Sequence, residues 1–431
     1  MPARRRVMTR RDIADRIAER CLRGAADRVG IEAEWFVTEA APRPREGPPP
    51  QSRVAAACDS GGPLPAGGRL SWEPGGQVEI STSPATTLAG AITSLEIDED
   101  ALRARLGRAG YRIEAAGVNR RHAPVRVIDS ARYRAMEQYF ASHGDDAAAA
   151  GRRMMCGTAA LQVNAGSSST TETARRWRAA HRVGPALAAA FASSPTQGGA
   201  SGPCASARLE NWWAVDPTRT APVPASAGTG KWVDYCLAAR VMLIRAGEDD
   251  FLPVAGGMTL GAWADDGHAL GFPDGGDVDY HLTTLFPPVR LRGWIEMRFL
   301  DAVPAPWWQA AVALTYGLVA VDGAAEELGT PPGGDVDGVG RWRTASRHGL
   351  ADPAVAADAL RCCEVGLSAL AGLDVSGAHL DAWGELVDRS VRRGLSPAAA
   401  DDAGSFARVG AGPAAGHEVG STGQGLQSGG T

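Results

Sequence analysis

Four short segments of this chain alternate apolar and polar residues with a period of two, and most of the polar members carry carboxylates. Successive side chains of a β-strand point to opposite faces, so such a segment lays one face on a core and presents the other. In GIEAEWFV (30–37), Glu32 and Glu34 share a face while Ile31, Ala33 and Trp35 point the other way. In WEPGGQVEI (72–80), Glu79 lies between Val78 and Ile80, and Glu73 stands just before a Pro-Gly-Gly turn that predicts a strand pair. In ALQVNA (160–165), Gln162 and Asn164 oppose Leu161 and Val163. In GWIEMRFLD (293–301), Glu296 and Arg298 oppose Ile295, Met297 and Phe299. Together the four predict the polar floor of a sheet-lined pocket; four half-solvated sheet faces would give the same alternation.

Carboxylates side by side on one face repel each other unless positive charge lies between them, and a divalent cation is the usual solution. An all-oxygen donor set favours Mg²⁺, a hard ion, over zinc. The chain has neither a G-x-x-x-x-G-K-[ST] loop nor a G-x-G-x-x-G after a strand, so a P-loop or dinucleotide fold is not indicated. A carboxylate-rich sheet would hold a nucleotide through metal ions instead. Only one of the 44 basic residues is a lysine, Lys231, so charge work at a phosphate falls to arginine and metal.

Helical stripes punctuate these strands. Ile13, Ile17 and Cys21 mark a first helix, and Leu88, Ile92, Leu95, Leu102 and Leu106 mark another over 87–108. Further helices are predicted at 131–141, 171–193, 306–321, 354–371 and 378–393, with one more carrying Trp232, Tyr235, Ala239 and Met242. Strands separated by long helices predict an α+β fold in one integrated domain over residues 1–395. Residues 40–68, rich in Pro, Gly and Ala, read as a long loop insertion, and 396–431, poor in large apolar residues, as a disordered tail. The net charge of −5 and the lack of a basic stripe argue against nucleic acid as partner; Arg152 and Arg153, and the stretch around Arg175 and Arg178, read as solvated helix charges. Seven scattered cysteines without metal spacing, no signal peptide and no apolar run of membrane-spanning length point to a cytoplasmic protein with free thiols.

The segments GIEAEWFV, WEPGGQVEISTSP, ARYRAMEQYF, MMCGTAALQVN and GWIEMRFLD resemble, in order, the motifs of plant- and bacterial-type glutamate–cysteine ligases of the glutamine-synthetase-like superfamily. They are most similar to the actinobacterial ligases that supply ergothioneine synthesis, over residues 8–394. The resemblance implies a curved antiparallel sheet forming a cup, with helices packed outside. It also implies an ATP- and Mg²⁺-dependent reaction in which the glutamate side chain is phosphorylated and then captured by the amine of cysteine as γ-glutamylcysteine. Glutamate, cysteine and ATP would be the small-molecule partners. On this resemblance Glu32, Glu34, Glu73, Glu79 and Glu296 are metal ligands, and Gln162 faces metal or nucleotide, standing where the enterobacterial ligases carry a histidine. Arg298, beside Glu296, is expected to clamp phosphate or a substrate carboxylate, with Arg292 a weaker choice. Arg132, Tyr133 and Asn164 are candidates for amino-acid recognition. Tyr133 shares a stripe with Met136 and Phe140 and fits a core role equally well.

Other conspicuous residues read as structural. Cys156 precedes a site-like strand, yet the implied reaction uses the substrate's thiol; His281 fits an ordinary hydrogen-bonded histidine; the Trp212–Trp213 and Trp307–Trp308 pairs fit core or loop anchors, one of which could line a nucleotide pocket. Two rival functions keep the same motifs: a ligase joining glutamate to a different amine, and a non-catalytic amino-acid sensor. A sensor has no need of so many mutually repelling acids.

Overall fold

The computed structural model describes residues 7–24, 26–41, 47–196, 203–224, 228–247, 249–331 and 338–398. Its centre is an antiparallel sheet built from β1 (Val29–Glu39), β2 (Arg69–Trp72), β3 (Val78–Ser81), β4 (Tyr111–Glu114) and β5 (Ala160–Ala165). After a separate two-stranded hairpin of β6 (Leu243–Arg245) and β7 (Phe251–Pro253), the sheet is completed by β8 (Val289–Leu291) and β9 (Ile295–Asp301). Strand order is β2-β3-β1-β5-β9-β8, with β4 pairing the C-terminal part of β1. At 11 residues β1 is long enough to pair β3 through Glu32–Trp35 and β4 through Phe36–Glu39.

The apolar face of this sheet packs on helices, and the fold is α+β. The helix Thr170–Ala190 runs against β9, Trp307–Ala320 against β5, and Pro353–Leu370 packs on both helices. Alanines 179, 180, 186, 188, 189 and 190 are all buried, which lets these layers approach closely. At Gly184 a β-carbon would lie 2.4 Å from the Trp342 ring, so only glycine fits between that indole and Phe299. Ile31, Val163, Ile295, Met297 and Phe299 are buried in one continuous core with these helices, as the alternation predicts.

The helix over 131–141 is found as Ala131–Ala141, capped by Ser130, whose hydroxyl accepts from the Tyr133 N–H. Two expectations are corrected. The region 40–68 is not a plain loop: it holds the helix Gln51–Asp59, with Val54, Ala57 and Cys58 buried. Arg105 ties down the chain after it by donating to the carbonyls of Cys58 (2.8 Å), Gly62 (2.8 Å) and Pro63 (2.9 Å). Proline and glycine at both ends masked a short alanine-rich helix. The helix bearing Trp232 and Tyr235 ends at Ala238, before Ala239 and Met242. There the backbone turns extended, and the Val241 N–H donates to Met258 O at 2.8 Å. The expected tail falls almost wholly outside the described residues, as do 42–46 of the insertion. Among the described residues no helix is long and apolar enough to cross a membrane.

Candidate active site

The polar face of the sheet is assembled by register. Antiparallel pairing sets Glu34 opposite Glu79, Glu32 opposite Gln162, Asn164 opposite Glu296, and Glu296 opposite Arg290. Glu73 arrives from the turn between β2 and β3, where its N–H donates to Gln77 O (2.9 Å) and its carbonyl accepts from Gly76 N (2.8 Å). Gly76 holds a φ of +85°, and at Gly75 a β-carbon would sit 2.3 Å from the Cys156 carbonyl oxygen. The Pro-Gly-Gly sequence is therefore what allows Glu73 to reach the face.

Glu34, Glu73 and Glu79 converge, each offering an oxygen within 4.8 Å of the others. The surrounding donors are neutral: Ala160 N–H (2.9 Å) and Gln162 Nε2 (3.3 Å) to Glu34, and Ser71 Oγ (2.6 Å) and Ser81 Oγ (3.2 Å) to Glu79. At such separations two ionised carboxylates repel by about 3 kcal/mol at an effective dielectric constant of about 20. Burial, then Glu73 and Glu79, push the Glu34 carboxyl well above the usual carboxylate range. Burial and Glu79 push Glu73 up to about 7. Glu32, bonded to Asn164 Nδ2 (3.1 Å), is likewise raised to about 7 by burial, then Glu296 and Glu79.

Glu296 has the opposite environment. Burial disfavours its charge, but Arg290 and Arg298, and then Arg292, outweigh that and hold its carboxyl far below the usual range. Arg290 grips both oxygens, one through Nε and the other through Nη2 at 3.0 Å, while Arg292 and Arg298 each approach to 3.3 Å. The sequence grouped Glu296 with the metal ligands; here guanidinium groups engage its oxygens, and it lies outside the Glu34–Glu73–Glu79 cluster. Arg298 links the two regions. Its Nη1 donates to Gln162 Oε1 at 2.6 Å, and Gln162 in turn donates to Glu34.

Arg132 and Tyr133 come to the same face from the start of the helix Ala131–Ala141. Arg132 places its guanidinium carbon 5.4 Å from the Tyr280 ring centroid, its buried Nε lacks a hydrogen-bond partner, and its charge acts on Glu73. Tyr133 packs against the core cluster that contains Met136, Tyr139 and Phe140, and its hydroxyl is pushed up to about 12 by burial and then by Glu73. It thus belongs to a core cluster and borders the carboxylates at once. Asn164 accepts from Trp294 Nε1 at 2.9 Å, which fixes its amide toward Glu32.

Two arginines escaped the sequence reading. Arg290 is flanked by Val289 and Leu291, the same period-two signal used elsewhere, in a segment too short to notice. Arg208, buried, donates to the carbonyl of Arg298 at 2.6 Å, its Nη1 lies 3.8 Å from Asp301 Oδ1, and its Nε has no hydrogen-bond partner; no local pattern marked it. Trp212 lies under Arg298, 5.8 Å from ring centroid to guanidinium carbon. Cys156 is buried and its thiol raised to about 12 by that burial, an unreactive state. His281 pairs through Nε2 with the Cys236 carbonyl at 3.0 Å, and Lys231 with exposed Asp234 at 3.1 Å. Trp213, Trp307 and Trp308 are core.

A carboxylate cluster that forms no ion pair among the described residues, bridged by Gln162 to a row of arginines, is equipped for a hard metal ion and an anionic group side by side. That is the requirement of metal-assisted phosphoryl transfer. Residues 28–400 match the glutamate–cysteine ligase family 2 (GCS2). The glutamate–cysteine ligase EgtA of Mycolicibacterium smegmatis is 38% identical over 384 residues, covering 87% of this chain and 86% of its own length. That of Mycobacterium tuberculosis H37Rv is 37% identical over 396 residues, covering 89% and 88%. The solved glutamate–cysteine ligase of Francisella tularensis, in complex with AMP, aligns with a TM-score of 0.46 at 12% identity, covering 88% of this chain and 84% of that one. The chain belongs to the glutamate–cysteine ligase family 2 and is an ATP-dependent ligase of that class.

Proposed function

We propose that this enzyme joins the γ-carboxylate of L-glutamate to the amine of L-cysteine, converting ATP to ADP and phosphate, on the polar face of a sheet that forms the floor of a cup. Residues 1–395 constitute its catalytic domain. The observation that carries the reading is the convergence of Glu34, Glu73 and Glu79 beside Arg298. The donor set, three carboxylates without imidazole or thiolate, fits Mg²⁺, and the burial and mutual repulsion that raise the Glu34 and Glu73 carboxyls are what a bound cation would offset. When bound, Mg²⁺ supplies charge neutralisation for the phosphate oxygens.

The residues divide the remaining work. Glu34, Glu73 and Glu79, with Glu32 beside them, hold the metal face. Gln162 orients Glu34 and Arg298 together. Arg298, held by Glu296, clamps the transferred phosphoryl group, and Arg292 at the exposed rim assists in drawing in anions. In the first step a γ-carboxylate oxygen of glutamate attacks the terminal phosphorus of ATP and ADP departs. In the second the neutral amine of cysteine attacks the acyl carbon, phosphate leaves with the bonding pair, and the nitrogen loses a proton. Arg132, Tyr133 and Asn164 border this face and recognise the amino acids, with the free Nε of Arg132 available to a carboxylate. All seven cysteines are free and buried, which accords with a reducing cytoplasm. Delivery of the product to ergothioneine synthesis is part of the proposal, on the motif resemblance to the actinobacterial ligases.

Mg²⁺-dependent phosphate release from ATP with glutamate, comparing cysteine with a panel of amines, tests it. Cysteine-dependent release with γ-glutamylcysteine seen by mass spectrometry is expected. Release favouring another amine would keep the chemistry and replace the acceptor; none with any amine would overturn the proposal.

A further inference from the structure

Beside the helix Ala131–Ala141 lies an open cavity of about 470 Å³, lined by that helix and the helix Asp145–Gly157. Its wall carries Arg126, Arg134 and Arg152, with Glu137 beside them and Phe140 and Ala148 as apolar lining. Two of the three arginines are already anchored. Arg126 donates to Glu137 (2.9 Å) and Asp129 (2.9 Å), and Arg134 donates to the same Asp129 oxygen (2.5 Å). Arg152 has no hydrogen-bond or ion-pair partner among the described residues, so the cavity holds one guanidinium in excess of its acids. Two guanidinium groups held in place and a third without an ion pair around a concave space make a receptor for carboxylate or phosphoryl oxygens, because Arg126 and Arg134 lose little side-chain entropy when an anion enters.

The same segment is wired to the metal cluster. The N–H groups of Val127 and Ile128, directly after Arg126, donate to the carbonyl of Pro74 at 2.8 and 3.1 Å. Pro74 adjoins Glu73 in the turn that delivers its carboxylate. The helix lining the cavity also carries Arg132 and Tyr133 on its catalytic side. A ligand that drew Arg126 and Arg134 toward Arg152 would therefore act on both the Glu73 turn and the amino-acid-recognising residues.

We infer that the Arg126–Arg134–Arg152 cavity is a second binding site, for a small organic dianion, whose occupancy changes the ligase rate through the Pro74 contact. The coupling rests on the metal-site reading of Glu73; the binding does not. Isophthalate is a suitable probe, a rigid dicarboxylate that is not an amino acid. Calorimetric titration of the full chain with isophthalate, with and without saturating Mg²⁺ and ATP, is paired with ligase rates. Saturable binding that Mg²⁺ and ATP leave in place, weakened at least tenfold in both Arg152→Glu and Arg134→Glu, is expected. So is a rate change with isophthalate in the unmodified chain that Arg152→Glu abolishes, while Arg152→Glu without isophthalate keeps the ordinary rate. Equal binding in the variants, or displacement of isophthalate by ATP, would overturn the site. Retained binding with an unaltered rate would overturn the coupling, leaving the catalytic assignment untouched because that is read from the rate without isophthalate.

Discussion

On the β1–β3 side of the sheet, Glu34, Glu73 and Glu79 face one another among neutral donors, whereas on the β8–β9 side Glu296 is ringed by Arg290, Arg292 and Arg298. Both regions place carboxylates on the same face, yet burial and carboxylate repulsion raise Glu34 and Glu73 while arginine depresses Glu296. The carboxylates of one region form no ion pair among the described residues; that of the other is neutralised by its own chain. Carboxylates a few strands apart thus meet opposite surroundings, one another on one side and guanidinium groups on the other.

The largest effect that would break this comparison is on turnover. Glu34→Gln removes a cluster charge, and losing metal stabilisation of the transferred group costs several kcal/mol, roughly a thousandfold or more in rate. The same variant melts at a higher temperature than the unmodified chain when Mg²⁺ is absent, because a repulsion has gone. A ligase rate within tenfold of normal would remove the cluster from the chemistry. On the opposite side the order reverses. Arg290→Met leaves Glu296 buried and under-neutralised and destabilises the fold by about 3–5 kcal/mol in urea denaturation. Adding Glu296→Leu restores most of that stability without restoring activity; failure of the double variant to recover would mean that Arg290 acts through packing alone.

The pH response sharpens the contrast next. Glu32 and Glu73 rise from the ordinary 4.5 to about 7 in the folded chain. A carboxyl raised on folding gives stability that is full below its unfolded value and lost as pH climbs through the folded one. The melting temperature in EDTA is therefore expected to fall between about pH 4.5 and 7, and Mg²⁺ to flatten that fall. Glu296, shifted the other way, keeps its contribution throughout this window and loses it only in acid. A melting temperature in EDTA that held level up to pH 8 would contradict the unpaired state of the cluster. The smallest effect belongs to Arg292, whose side chain is 43% exposed. Arg292→Ala costs less than about 1 kcal/mol of stability, since solvent screens a pair at the rim; a larger loss in urea titration would place it inside the clamp.

Much of the fold and site was legible before any coordinates. The helix at 131–141, the strand pair around Pro-Gly-Gly and the same-face pairing of Gln162 with Asn164 follow from backbone periodicity and turn chemistry. The helix Gln51–Asp59 was hidden because its flanking prolines and glycines carry a stronger local signal than nine residues with three buried side chains. Arg208 left no trace, since its neighbours Asp301 and the carbonyl of Arg298 are some 90 residues away in the chain.

The sequence by itself determined which side chains share a face, because alternation along a strand is a property of the backbone and needs no partner. It could not determine which carboxylates meet. Glu34 is joined to Glu79 by the β1–β3 register, Glu73 is added by a turn, and Glu296 is given to Arg290 by the β8–β9 register. Register is a relation between distant segments, fixed by the packing of the whole apolar face against its helices. Only the tertiary structure therefore decided which acids converge on one another and which is clamped by arginine.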